Sequence, residues 1–180
     1  MYWYKNNDAI QEKVLTKGKN MSNELKASSS RVQECLSQYG HDFIVQQMPS
    51  TTRTAEEAAS TIGCMVGQIA KSLVFIHAET GEPVLVIVSG LNRVCVDKVK
   101  ANTGLTLKKA SASFVREKIG FAIGGVPPVA HNNKVNTLLD NDLRQYKEVW
   151  AAAGTPNSVF KLNPEHLNEL TKGQWIDLSQ

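Results

Sequence analysis

The chain has no CxxC pair, and its three cysteines, Cys35, Cys64 and Cys95, lie far apart. That spacing argues against a zinc site of the usual kind and against a disulfide framework. With an odd cysteine count and no signal-peptide pattern, the expectation is a reducing, cytoplasmic location. Long apolar runs are missing too. Leu73–Ile76 and Val84–Val88 are among the longest, against the roughly 18 residues of a membrane-spanning helix. A large excess of one charge is also absent. Twenty Lys and Arg against 17 Asp and Glu leave +3, which permits phosphate contact but does not suit a protein that coats duplex DNA. No P-loop, GxGxxG, GxSxG or HExxH occurs, so the familiar nucleotide, serine-hydrolase and zinc-protease signatures give no lead.

What remains is ordinary globular material, with 180 residues, 42% hydrophobic and 21% charged. This is enough for one domain with a full core. Residues 1–20 differ from the rest. Tyr2, Trp3 and Tyr4 precede a polar stretch that ends at Asn20, and Met21 reads as a fresh start. They read as an extension, or else as an element that packs by its aromatics, and the domain is placed at 21–180.

Helix and strand signals alternate along that domain. Val32, Cys35, Leu36 and Tyr39 have helical spacing, with Ser30 and Gln33 as a capping box and Gly40 as the stop. Thr54 with Glu57 opens a second helix that Gly63 closes. Gln68–His77 and Pro83–Ser89 read as a hairpin about Glu79–Glu82. Short helices are expected at Val94–Ala101, Ser111–Lys118, Asp142–Trp150 and Pro164–Leu170, and strands at Phe43–Met48, Val135–Leu139, Ser158–Leu162 and Trp175–Leu178. The order predicts a single α+β domain: a mixed, mostly antiparallel sheet flanked by helices.

Three places depart from plain core. Lys71 shares a strand face with Ile69, Leu73 and Phe75. It either sits beside a cleft, where an anion would hold its charge, or guards a strand edge. In Gly124–His131 the glycines let a ligand approach the backbone, and Pro127 and Pro128 stiffen the loop. The amides of Gly124, Gly125 and Val126 can serve as oxyanion donors, with His131 binding, orienting water or titrating; the alternative is a stiff connection with a surface histidine. Gly154–Asn157 is a second ligand-facing loop or an ordinary turn. Cys64 reads as a small buried cysteine, with a Cys/His nucleophile as the competing reading.

These residues carry a resemblance. Thr54-Ala55-Glu56-Glu57-Ala58-Ala59, Gln68-Ile69-Ala70-Lys71-Ser72-Leu73-Val74-Phe75, Gly124-Gly125-Val126-Pro127-Pro128-Val129-Ala130-His131 and Ala153-Gly154-Thr155-Pro156-Asn157 occur in the order and spacing of the YbaK/EbsC/ProX family. Its members are free-standing relatives of the editing domain inserted in bacterial prolyl-tRNA synthetase. The resemblance spans about Ser30 to Asp177 and implies trans-editing, the hydrolysis of the ester between a wrong amino acid and tRNA. It implies Lys71 and Gly125 as catalytic, and Thr54, Ser72, Gly124, Val126, Pro127, Pro128, His131, Gly154 and Asn157 as substrate-binding. It implies no metal or other cofactor. The implied partners are the acceptor end of mischarged tRNA and, behind it, a synthetase, with no membrane and no duplex DNA. Two departures stand out: Ala130, where such relatives often have Gly, and Ser72, where some carry Asn or Thr. Alanine is the expected amino acid, ahead of cysteine and serine. A non-catalytic tRNA- or nucleotide-binding module of the same fold is the alternative.

Overall fold

The computed structural model describes residues 27–50, 52 and 54–180. The reading of 1–20 as an extension lies outside the described residues.

A helix over 27–36 (α1) runs into a 3-10 turn that Gly40 closes at φ 70°. Next come β1 (Val45–Gln47), α2 (Ala55–Ile62), β2 (Ile69–His77), β3 (Pro83–Ser89) and α3 (Val96–Thr103). The chain continues through β4 (Leu107–Lys109), α4 (Ala112–Ile119), β5 (Asn136–Asp140), β6 (Val149–Ala152), β7 (Ser158–Leu162), α5 (Glu165–Thr171) and β8 (Gln174–Ile176). The eight strands form one sheet in the order β1-β7-β6-β2-β3-β5-β8, with β4 paired to β2. The β2–β3, β2–β4, β1–β7 and β6–β7 pairs are antiparallel; β2–β6, β3–β5 and β5–β8 are parallel. This is the mixed α+β sheet the sequence predicts.

Its central strand explains the longest apolar run. Leu85 and Ile87 of β3 enter one core with α1, α4 and α5, while Val84, Val86 and Val88 enter a second with α3 and β8. A strand covered on both faces needs no polar alternation. The register of β2 matters more for the site. β3 occupies one edge of β2 throughout, but the other edge is shared: β6 pairs with Ile69 and Ala70, and β4 with Phe75–His77. Residues 71–74 therefore face an open window between two short strands.

Several expectations are corrected. The Asp142–Trp150 helix is a 3-10 turn, Asn141–Gln145, followed by β6. Asp140 accepts from the Asp142 amide and caps the turn, and pairing of Trp150 and Ala151 with β2 overrides the helix preference of the alanines. Ser30 lies within α1, so it is no N-cap, and the Gln33 side chain bridges to Phe43 O and Val45 N. The three-residue β4 escapes detection because it is shorter than an alternation can show. The α2 cap and stop are as read: Thr54 Oγ1 accepts from Glu57 N at 3.1 Å, and Gly63 is left-handed at φ 81°.

Candidate active site

A cavity of about 270 Å³ opens at the β2 window. Its walls come from β2, α2, β6 and the two glycine–proline loops. Of the residues singled out from the sequence, Thr54, Lys71, Ser72, Gly124 and Val126 line it. Thr155 and Pro156 line it from the second loop, where Gly154 and Asn157 are not among the lining residues. Met48, Ala70, Trp150 and Ala151 add an apolar wall that periodicity could not assign to a pocket.

Lys71 leaves the strand and reaches the turn after β3. Its Nζ donates to Gly90 O at 3.0 Å and Asn92 O at 2.7 Å. An ammonium has three donors, so one remains for a ligand. Burial pulls the Lys71 ammonium below the ordinary lysine range, with Glu56 and Asp140 opposing and Arg93 adding to the shift. The turn that holds Lys71 is itself anchored by a carboxylate the sequence reading passed over. Asp140 is 1% exposed and accepts from Ser89 N at 3.1 Å and Asn92 Nδ2 at 2.8 Å. Only the pairing of β3 with β5 brings Asp140 under this turn, so no local signal marks it. Gly90 is required there, because a Cβ would come within 2.0 Å of Val66 O.

The two loops form one wall by direct docking. Gly154 N donates to Gly125 O at 2.9 Å, and a Cβ on Gly125 would lie 2.7–2.8 Å from the Thr155 backbone. The Gly125 amide, read from the sequence as an oxyanion donor, is already given to Ala122 O at 3.0 Å. Gly125 thus holds the wall, while the amides of Gly124 and Val126 have no partner among the described residues. Gly124 takes φ 88°, which favours glycine. Asn157 braces the second loop: its Oδ1 accepts from Thr155 Oγ1 and its carbonyl from Met48 N.

Pro127 and Pro128 are buried and are not among the cavity-lining residues. His131 is not among the cavity-lining residues. Its Nε2 lies 2.7 Å from Pro127 O. A carbonyl only accepts, so this nitrogen carries the proton. Ala130 before it takes φ 64°, a left-handed conformation that suits Gly better. Burial lowers the His131 pKa below the ordinary 6.5; its bond to Pro127 opposes this and Arg31 adds to it. In the window below 6.5 the unfolded chain binds the proton that folded His131 refuses, so stability is fully present above 6.5 and falls as pH drops toward the folded value. His131→Gln, whose amide can still donate to Pro127 O, is expected to flatten the loss of stability between pH 7 and pH 5, read by denaturant titration at each pH. An unchanged slope would place the acid sensitivity elsewhere.

Ser72 presents an unusual hydroxyl. Its Oγ is buried with no hydrogen-bond partner among the described residues, and leaving such a group unpaired costs about 1–3 kcal/mol. Ser72→Ala is expected to raise unfolding stability by about 1 kcal/mol, read by denaturant titration. A variant that loses stability would show that the hydroxyl has a partner in the folded protein. Cys64 packs with Ala58, Ala59 and Ile69, and burial pushes its thiol up, away from the thiolate a nucleophile needs. Among the described residues no histidine lines the cavity.

A family model described as "Aminoacyl-tRNA editing domain" matches residues 49–170, which include both loops and β2. A solved structure described as "a putative trans-editing enzyme for prolyl tRNA synthetase" is 48% identical with a TM-score of 0.79, covering 85% of this chain and 97% of that one. YwhH of Bacillus subtilis is 30% identical over 84% of this chain and 96% of its own length. A protein of Enterococcus faecalis named "Putative Cys-tRNA(Pro)/Cys-tRNA(Cys) deacylase EbsC" is 27% identical over 70% of this chain and 77% of its own. No helix among the described residues is long and apolar enough to cross a membrane. With its β2 lysine and paired glycine–proline loops around one cavity, the chain belongs to the aminoacyl-tRNA editing domain family.

Proposed function

We propose that this protein is a trans-editing aminoacyl-tRNA deacylase that hydrolyses the ester joining a small, wrongly attached amino acid to tRNA, alanine first, then cysteine or serine. The observation that carries this reading is that Lys71, Gly124 and Val126 line the same cavity, and that the amides of the last two have no partner among the described residues. An aminoacyl ester is already activated, so a positioned water is nucleophile enough. Water adds to the ester carbonyl, and the resulting oxyanion takes hydrogen bonds from the Gly124 and Val126 amides. The C–O bond to the ribose then breaks, releasing free amino acid and a tRNA whose terminal hydroxyl regains a proton. The third Lys71 donor binds an oxygen of the terminal nucleotide and fixes the ester against the loop.

Specificity follows from the walls. Ala70, Val126 and Ala151 are buried and offer an apolar lining beside the polar residues Thr54, Lys71 and Thr155. Docking of Thr155 against Gly125 makes the loop wall stiff. A cavity of this kind admits a small side chain and rejects a larger or ring-locked one by shape, as a second sieve does. The exposed rim residues Leu73 and Ile123 give the terminal base an apolar surface. The test is a deacylation screen over tRNAs charged with Ala, Ser, Cys, Thr and Pro. Saturable binding of those tRNAs without turnover would identify a non-catalytic binding module instead. Full activity in Cys64→Ala is expected, and its loss would revive a thiol mechanism.

A further inference from the structure

The turn that holds Lys71 is followed at once by a second cation. Asn92 and Arg93 precede α3, yet neither caps it: the N-cap is Cys95, which makes no side-chain cap bond. The Asn92 amide is spent on the carboxylates of Asp140 and Asp142, at 2.8 and 2.7 Å. Arg93 is exposed, and its guanidinium has no carboxylate partner and no hydrogen bond among the described residues.

The backbone around Arg93 is fixed on both sides. Before it, Asn92 O accepts from Lys71 Nζ at 2.7 Å. The Arg93 carbonyl accepts from Gln180 N at 3.1 Å, and Cys95 N donates to Leu178 O at 2.8 Å. The guanidinium therefore springs from the residue next to a carbonyl that grips the site lysine. It stands near enough for its charge to act on Lys71, against the ammonium. Two like charges held in one region repel, and an anion between them relieves the repulsion. The nearby carboxylates are committed elsewhere. Asp140 accepts from Ser89 N as well as Asn92, Asp142 accepts from Asn92, and Glu56 bonds to its own backbone and to Thr54.

We infer that Arg93 binds the phosphate on the 5′ side of the terminal tRNA nucleotide, while Lys71 serves the sugar and its ester. This inference rests on the deacylase reading and adds a second point of contact to it. In an aminoacylated nucleotide the ester leaves the ribose from one side and the 5′ phosphate from the other. With the amino acid inside the cavity, the phosphate falls outside it. Arg93 suits that place, because it adjoins the Lys71 turn, is exposed and is not among the cavity-lining residues. A guanidinium offers parallel N–H donors that match two phosphate oxygens, which a lysine ammonium does not. Held at the ester and at the phosphate, the terminal nucleotide cannot pivot about the Lys71 contact. Arg93 is thus a positioning residue, remote from the bond that breaks.

The experiment compares full-length wild type with Arg93→Gln and Arg93→Lys on Ala-tRNA and on two small esters. These are alanine esterified to the ribose of adenosine and to the ribose of adenosine 5′-monophosphate. Arg93→Gln is expected to lower kcat/KM for Ala-tRNA about tenfold, the loss of a hydrogen bond to a charged group, with the fall in KM rather than kcat. Its plot of log kcat/KM against log salt is expected to be shallower by about 0.7, the share of one phosphate contact on a single strand. Wild type is expected to prefer the phosphorylated ester about tenfold. Arg93→Gln should lose that preference, and Arg93→Lys should recover part of it. Equal kcat/KM for wild type and Arg93→Gln on Ala-tRNA, or a loss of the same size on both small esters, would overturn the assignment. Should wild type hydrolyse none of the esters, the deacylase reading alone fails, and calorimetry with adenosine 5′-monophosphate and adenosine decides the assignment. A wild-type preference for the monophosphate that Arg93→Gln abolishes upholds it; no such preference, or one that the variant keeps, overturns it.

Discussion

Lys71→Ala is expected to reduce kcat/KM for a mischarged tRNA by about 10²–10³-fold, the loss found when a preorganised donor is removed from a developing charge. The expectation rests on how the ammonium is held. Two of its donors are fixed by Gly90 O and Asn92 O, so the third has a set direction before substrate arrives. Asp140 fixes those carbonyls in turn through Ser89 and Asn92. Substitution also leaves two carbonyls without a donor, so stability has to be measured alongside activity. Lys71→Met keeps the apolar stem and is expected to show the same kinetic loss. The pH dependence gives a second readout. Burial lowers the Lys71 pKa, so its proton leaves at lower pH than that of an ordinary lysine. Catalysis measured against spontaneous ester hydrolysis is therefore expected to decline on the alkaline side, before exposed lysines titrate. Both lysine variants should lack that limb. Undiminished hydrolysis in Lys71→Met would remove the ammonium from the mechanism.

Gly125→Ala is expected to have the largest combined effect on stability and activity. The new methyl would stand 2.7–2.8 Å from three backbone atoms of Thr155, and backbone cannot swing aside as a flexible side-chain tip can. The loops must separate, which breaks the bond from Gly154 N to Gly125 O and opens the wall carrying Gly124 and Val126. Overpacking of this kind costs about 1–3 kcal/mol, to which the lost hydrogen bond adds about 1 kcal/mol. Deacylation should fall at least as far as in the lysine variants, because the donors move together with the wall. Denaturant unfolding and single-turnover hydrolysis check the two parts separately. A variant of native stability with an intact rate would show that the loops are not docked as described.

Much of this site was legible because its chemistry is local in sequence. The Thr54 cap, the lysine on an apolar strand and the two glycine–proline loops are each recognisable within a few residues, and their order carries the family resemblance. What could not be read depends on pairing across the sheet. Asp140 reaches the Lys71 turn only through the β3–β5 register, where Val86 faces Leu138. The open edge at residues 71–74 exists only because β6 and β4 each stop short on β2. Trp150, the end of the helix expected over Asp142–Trp150, lies instead in a strand, because it pairs in parallel with Ile69. The Gly125 amide looked free because the one-turn bond to Ala122 has no sequence signature.

Whether the cavity is an editing site is tested most directly by single-turnover hydrolysis of Ala-tRNA beside Pro-tRNA, with wild-type protein in excess. The proposed geometry predicts rapid release of alanine and a proline ester that decays no faster than in buffer. Equal rates for the two esters, or no acceleration of either, would contradict it.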